Sequence, residues 1–338
     1  VEVYSYKSQI KQEEYNMSYF DKYQGIVGLG TESTFGAGGA TVKEWCNVTD
    51  YKFNLEIANE PLKAITGIRE SEKSVQGRRM LDGNVAFDLE NNNGLGVIFR
   101  SHFGTVNSAQ IGTFLAYKHV FSIDQNPDII SLFARVNQLG TNMKNYVGLF
   151  PSKIDINYGK DEDVKVSVDF MGQNEATGTF VNGTYGTFQP FTTYENLQVW
   201  IDGTVNPDIV SLKCTLDAKG QKIATVGTNS YISKITKGGE ISPEVSFDIL
   251  FTGETERNKF LNNTVSTLQL KLSGVSIAGT AVSEMNIKIP AFKYKSFPFE
   301  DKEGGVRGAT VAGFGLKATN AVGTGCVLAE IVNAVSGY

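Results

Sequence analysis

Two histidines, His102 and His119, are the whole supply of imidazole in this chain. Any Ser-His-Asp or Cys-His arrangement needs one of them. His102 lies in LGVIFRSHFG, where Leu95, Ile98, Phe99 and His102 recur at i, i+3, i+4 and i+7. That spacing predicts one face of a short helix stopped by Gly104. His119 lies in LAYKHVFSI, on one extended face with Leu115, Tyr117 and Phe121. Neither context suggests a catalytic partner nearby, so both read as packed or surface histidines. Cys46, Cys214 and Cys326 are odd in number and far apart, which gives neither a disulfide framework nor zinc spacing. No HExxH or CxxC occurs, and GKDEDVKVS (159–167) lacks the spacing and terminal Glu of a calcium loop. The glycine-rich GIVGLGTESTFGAGG (25–39) has no GK[ST] and no G-x-G-x-x-G opening a helix, so its glycines read as turns or close backbone approach. Asp161 and Glu162 read as a solvated turn and not as a glycosidase pair, which needs two carboxylates in a cleft. The expectation is a protein that is not an enzyme, with no catalytic residue, no cofactor and no metal.

The elements that would carry these residues point to a mainly β chain. Its 338 residues, 41% hydrophobic and 20% charged, suffice for two folded domains. Glycine is frequent at 36 residues and proline sparse at 8, which suits many turns between strands. The net charge of −5 gives no general attraction for a nucleic-acid backbone. No run of 18 apolar residues occurs, and the polar, tyrosine-rich start has no leader-like apolar core. Clear alternation marks strands in YKFNLEI (51–57), VAFDL (85–89), KIDINY (153–158), VKVSVDF (164–170), LKCTLDA (212–218), STLQLKLSG (266–274) and VRGATVAGFGLKAT (306–319). KIDINY and VKVSVDF form a hairpin around the polar GKDED loop. IISLFARV (129–136) reads equally as a buried strand or a short helix. Pro290 in MNIKIPAFKYK predicts an edge or a bulge. In GTGCVLAEIVNAVSGY, the spacing of Cys326, Ala329 and Val332 predicts a short helix.

An internal echo organises the chain. SVQGRRMLDGNVAFDL (74–89) is matched by SKITKGGEISPEVSFDI (233–249), and a single constant offset carries Val85, Phe87 and Asp88 onto Val245, Phe247 and Asp248. Gly67 and Gly227 share that offset, and ETERNKFLNN (254–263) follows the second copy as the helix at 95–103 follows the first. Phe53, Leu55 and Ile57 match Leu212, Cys214 and Leu216 at an offset shorter by one position. The pattern predicts an N-terminal arm at 1–25, domains at 26–190 and 191–319, and a C-terminal segment at 320–338. The charged stretch between Asn59 and Asn84 precedes the first matched strand. It reads as a solvated β-hairpin arm or a mobile loop, with 219–243 as its counterpart.

Four stretches carry a family resemblance: Glu32-Ser33-Thr34-Phe35-Gly36, the arginine-containing segment and strand at 77–89, Tyr146-Val147-Gly148 leading into SKIDINYGKDEDVKVSVDFMG, and IKIPAFKYKSFP (287–298). Over residues 28–319 the chain resembles the tail tube proteins of long, non-contractile-tailed bacteriophages, particularly a two-domain type. The resemblance implies two tandem β-sandwich or barrel domains, each with a short flanking helix and a long loop or β-hairpin arm. It implies self-association into stacked rings that conduct DNA: a trimer forming a pseudo-hexameric ring if the chain is duplicated, otherwise a hexamer. It further implies tape-measure, terminator and tip proteins as partners, DNA passing without specific binding, no membrane, and a place in the virion tail after assembly in the host cytoplasm. Glu60, Lys63, Arg69, Glu70, Arg78 and Arg79 are then inter-ring candidates. Asp88 and Asp248 are lumen candidates, or ordinary surface positions of a strand. The alternatives are a tail-tip, hub or adaptor ring protein, or a β-sandwich carbohydrate-binding adhesion module.

Overall fold

A computed structural model describes residues 26–39, 41–61, 74–90, 94–126, 128–137, 142–159, 162–179, 183, 191, 196–225, 230–301 and 306–338. The first part of the chain forms β1 (Ile26–Thr31), β2 (Glu44–Cys46), β3 (Asp50–Pro61), β4 (Ser74–Asp88), α1 (Leu95–Phe103), β5 (Gly104–Gln110) and β6 (Tyr117–Ile123). It continues through β7 (Leu132–Asn137), β8 (Asn142–Tyr158), β9 (Lys165–Gly172) and β10 (Asn174–Thr179). The second part forms β11 (Leu197–Ile201), β12 (Thr204–Val205), β13 (Ile209–Asp217), β14 (Gly220–Ile223), β15 (Lys234–Lys237), β16 (Glu244–Leu250) and α2 (Thr255–Leu261). It ends with β17 (Val265–Ala278), β18 (Ala281–Ser296), β19 (Phe299–Asp301), β20 (Arg307–Leu316), β21 (Ala318–Asn320), β22 (Gly323–Gly325) and β23 (Leu328–Asn333). The protein is mainly β, and its strand pairings are antiparallel.

One pattern of pairing occurs twice. In the first part β2 pairs β1, β1 pairs β7, and β7 pairs β8, which also takes β10 and β9; β9 pairs β4 and β4 pairs β3. In the second part β12 pairs β11, β11 pairs β17, and β17 pairs β18, which also takes β23 and β20; β20 pairs β16 and β16 pairs β13. The matched strands follow in the same chain order, and a helix follows β4 and β16 alike. The long strands β8 and β18 make this possible by changing neighbours along their length. Residues 142–147 of β8 pair with β10 and 150–157 with β9. Residues 284–288 of β18 pair with β23 and 291–296 with β20. Among the described residues two ladders join the parts: β8 pairs β13, and the β5–β6 hairpin crosses over to pair β23 through β6.

Period-two alternation explains why one face of these strands is core. Val166, Val168 and Phe170 of β9 are buried while Lys165 and Asp169 between them are exposed. Val85 and Phe87 meet the same core as Val245 and Phe247. IISLFARV resolves into a strand, β7, with Leu132, Phe133, Ala134 and Val136 buried.

Several expectations change. The predicted C-terminal helix is strand β23, in which Leu328, Ala329, Ile331 and Val332 are all buried. It is covered on both faces and fills the free edge beside residues 284–288 of β18, so no polar face marks its period. Its ladder also extends the second strand set past residue 319. KIDINY is the end of β8, which begins at Asn142, and a further strand, β10, follows β9. Pro290 sits at a bulge, where β17 pairing shifts between Ser266 and Leu268, but on a strand paired on both sides. Tyr51 lies opposite Val85 and Cys214 opposite Val245. The ladders therefore match Cys214 to Tyr51, and not to Leu55 as the alternation alone suggests.

Candidate functional site

The sheet row β3–β4–β9–β8–β13–β16–β20–β18 presents one apolar face to the core and one polar face away from it. This polar face is the largest functional candidate, because it runs without a break from the first strand set into the second. Its side chains interlock across strands. Asn84 of β4 donates to Ser167 Oγ at 2.9 Å and Asp169 Oδ1 at 2.7 Å on β9. Asp155 of β8 accepts from Thr215 of β13 at 2.6 Å and from Lys153 at 2.8 Å, with Lys213 at 3.5 Å. Partial burial alone would raise the Asp155 pKa, but the Lys153 and Thr215 hydrogen bonds outweigh it and hold the carboxylate below its ordinary range. The residue types are those of a hydrated wall: Asp and Glu alternate with Ser, Thr, Asn and Lys, and large apolar groups are turned inward.

Asp88 and Asp248 occupy matching places on this face. Asp88 pairs across the ladder with Lys165, and Asp248 with Thr310. The Thr310 hydroxyl donates to Asp248 at 2.6 Å and that of Ser211 at 2.8 Å. Burial pushes the Asp88 carboxyl up, the nearby Asp163 adds to this, and Lys165 offsets it.

The inter-ring candidates are divided. Lys63, Arg69 and Glu70 lie outside the described residues, as does the arm at 1–25. Glu60 falls in β3, opposite Val75 of β4, so β3 and β4 form the two legs of a long hairpin. Arg78 on β4 is exposed. Arg79 is turned back into the same chain: its guanidinium donates to the Tyr231 hydroxyl at 3.1 Å and lies 5.3 Å from the ring centroid. Its N–H donates to Ser230 O at 2.7 Å. Below it Lys222 of β14 binds Asp82 at 2.6 Å and Leu81 O at 2.9 Å. The β14–β15 hairpin, expected as a second arm, thus braces the base of the first.

The sequence reading missed Tyr231 and Lys222, since nothing local announces a partner so far along the chain. It quoted Glu32 without assigning it a role. The Glu32 carboxylate accepts the N–H groups of Gly36 at 2.9 Å, Gly38 at 3.0 Å and Gly148 at 3.0 Å. Gly36 and Gly38 have φ of 75° and 72°, the left-handed region in which glycine is at ease. The E-x-T-F-G stretch is therefore a carboxylate clasp that fixes the loop after β1 onto β8.

Both histidines are structural. His102 is buried with Nδ1 2.8 Å from Pro151 O. His119 is buried among Ser108 Oγ, Asn333 Oδ1 and Val335 O. Among the described residues no group of three metal-ligating side chains comes together, and no helix is long and apolar enough to cross a membrane. No curated protein matches the chain. A family model described as phage tail tube protein matches residues 23–321, almost the whole length over which the doubled strand pattern runs. The chain belongs to the phage tail tube protein family.

Proposed function

We propose that this protein is the building block of the tail tube itself, self-assembling into rings that stack head to tail into the conduit for genome delivery. The observation that carries the proposal is the continuous polar, carboxylate-bearing face of the eight-strand row, to which both strand sets contribute. Facing a lumen, Asp88 and Asp248 would repel DNA phosphates and let the duplex pass without sticking. The doubled pairing supports reading 26–190 and 191–319 as two tandem tube domains, the second completed by β23. Three copies then make a pseudo-hexameric ring, whereas one elaborated domain would need six. Stacking follows because a heterologous contact along an axis does not close. The β3–β4 hairpin reaches to the neighbouring ring, with Arg78 and the charged residues around Glu60, Lys63, Arg69 and Glu70 as its contacts, while Arg79 holds its base. A tape-measure protein inside, terminator and tip proteins at the ends, and assembly in the host cytoplasm before incorporation into the virion complete this reading.

Negative-stain electron microscopy of the purified chain tests it. Long tubes of regular repeat are expected. Isolated rings would instead indicate a tip, hub or adaptor protein, and monomers that bind sugars an adhesion module. Removing the whole of 60–82 would also remove core residue Leu81. The arm is better tested by replacing 62–73 with an Asn-Gly turn, which should stop stacking and leave rings intact. Normal tube growth from that variant would refute the arm's role.

A further inference from the structure

The joint between the two strand sets shows how one chain would meet the next. At that joint Ile154, Asp155 and Ile156 of β8 lie opposite Leu216, Thr215 and Cys214 of β13. Within the doubled pattern β8 corresponds to β18, and β13 to β3. The ladders fix the correspondence residue by residue. Ile154 pairs Val168, which pairs Val85; Tyr294 pairs Gly313, which pairs Val245. Because Val85 matches Val245, Ile154 matches Tyr294. By the same route Cys214 matches Tyr51. The inner joint therefore unites an edge of the β8/β18 kind with an edge of the β13/β3 kind.

The outer margins of the row are the same two kinds of edge. Among the described residues, β3 pairs only with β4. Residues 294–296 of β18 pair with β20 alone, since the β17 ladder ends opposite Lys293. β19 continues along β20 from Phe299 to Asp301 and, among the described residues, has no second neighbour. An exposed edge with unpaired N–H and C=O groups is a template for another strand. Side-chain faces agree as well: Tyr51 and Phe53 are half-buried between exposed Asp50, Lys52 and Asn54, and Tyr294 is buried beside exposed Lys295.

We infer that β3 of one subunit pairs antiparallel with the end of β18 of the next, in the register of the β8–β13 joint: Phe53 opposite Tyr294 and, past the bulge that β18 makes at Lys295, Lys52 opposite Ser296. This rests on the ring reading above and adds to it the strands and their register. It has a chemical consequence. The inner joint sets Asp155 against Thr215 with Lys213 nearby, but the outer joint sets Lys52 against Ser296, where β18 has no carboxylate in the place of Asp155. Opposite charges and hydrogen-bonding pairs across a ladder strengthen it, and the outer joint lacks the carboxylate that ties the inner one, so the joint between chains is looser than the joint within one.

Paired cysteines test the register. A chain carrying Lys52→Cys and Ser296→Cys, assembled and then oxidised, should give covalent oligomers ending at the closed ring on a non-reducing gel. Each single variant, and a shifted Glu56→Cys/Ser296→Cys chain, should give little above the background of the native thiols. Ser296→Asp in the otherwise unmodified protein, which sets a carboxylate opposite Lys52, should lower the concentration needed for ring formation by about two- to fivefold, within the range of a cross-strand charge pair. Rings or tubes with no cross-link above the single variants, or with the shifted pair linking better, would overturn the register and leave the ring reading standing. Absence of rings from the unmutated chain would overturn both.

Discussion

Helices α1 and α2 begin at Leu95 and Thr255, at the same offset as the matched strands before them, yet the protein uses them in opposite ways. Every residue of α1 except Arg100 is buried, whereas no residue of α2 is. Sequence explains the difference: LGVIFRSHF is apolar on nearly all sides and TERNKFL on few. A helix that is apolar all round has to be covered. For α1 the cover includes the C-terminus, since the Tyr338 ring lies so close to Gly96 that a Cβ there would meet it at 2.0 Å. Tyr338 also stands edge-on to His119 with centroids 4.7 Å apart. α2 is held by one half-buried ring, Phe260 stacked on Phe297, and by polar contacts at its rim: the Tyr294 hydroxyl on Glu256, and Lys259 on Asp202 at 3.0 Å. Strand order is thus repeated while packing over the helix is not. The β5–β6 hairpin and the chain terminus have gone to one copy only.

The largest effect should come from equivalent positions of the two helices. Phe99 is fully buried in α1, against Phe103 and Phe121, and its equivalent in α2 is Lys259. Phe99→Ala should cost about 3–5 kcal/mol, through lost burial and the cavity left behind. Lys259→Ala should cost about 1 kcal/mol or less, because it loses only partly exposed ion pairs. Urea unfolding of the two variants measures the gap. Similar losses would mean that α2 is as much a core element as α1.

Acid-base behaviour sharpens the same contrast, for two strongly shifted, buried groups lie around α1. Burial pushes His102 down to about 4, against the Pro151 carbonyl that favours its charged form. The unfolded chain takes up this proton near pH 6.5. Stability from His102 is therefore complete above that pH and lost as pH falls from 6.5 towards 4. Glu44 has the opposite sign: burial pushes it up to about 7, though the Tyr338 side chain and the Gly94 backbone oppose this. Its contribution is complete below about pH 4.5, where the unfolded carboxyl is protonated, and is lost as pH rises towards 7. Each linkage is on the order of 3 kcal/mol, and between pH 4.5 and 6.5 the two slopes oppose one another. Glu90 is likewise pushed up to about 7, chiefly by burial, so in Glu44→Gln/Glu90→Gln the urea midpoint should rise with pH across that window, and in His102→Gln it should fall. Two variants with the same profile as the parent would remove this account. In the second set Asp202 moves the other way. Burial would raise it, but the Thr267 N–H and Lys259 bring it below the ordinary carboxylate range.

Much of this architecture was legible because half-buried strands carry their own period. β9 and β13 alternate without a break, and α1 shows its face at helical spacing. The parts that were not legible have physical reasons. β23 is buried on both faces, and a continuous apolar run does not distinguish helix from strand. Along β3 the true partner of Cys214 is Tyr51 and the apparent one Leu55. Both stand on the same face of the strand, so an even shift leaves every side chain on its proper side and alternation alone does not detect it. Glu32 acts on Gly148, and His119 on Asn333 near the other end of the chain. Such pairs are made by the fold and have no local spacing. The polar face follows from the alternation, and Asp88 and Asp248 were identifiable on it. The brace on the β3–β4 hairpin was not, because it depends on β14–β15 folding back to the other strand set.

That brace gives the smallest predicted effect and separates the two hairpins most directly. If β14–β15 serves the first set's arm, weakening their contact should loosen the arm and leave the body unaffected. Tyr231→Phe keeps the ring under the Arg79 guanidinium and removes the hydroxyl that accepts its N–H. The loss should be about 0.5–1 kcal/mol, that of one hydrogen bond at a partly buried site. It should appear locally, as amide exchange about two- to fivefold faster at Arg79, whose N–H donates to Ser230 O at 2.7 Å. Exchange at Val85 and Phe87, deep in the ladder between β3 and β9, should not change. Faster exchange at all three positions would mean that the contact supports the whole first set. No change at Arg79 would mean that the two legs hold the hairpin without help, and that β14–β15 is an independent projection like the arm it matches in the sequence.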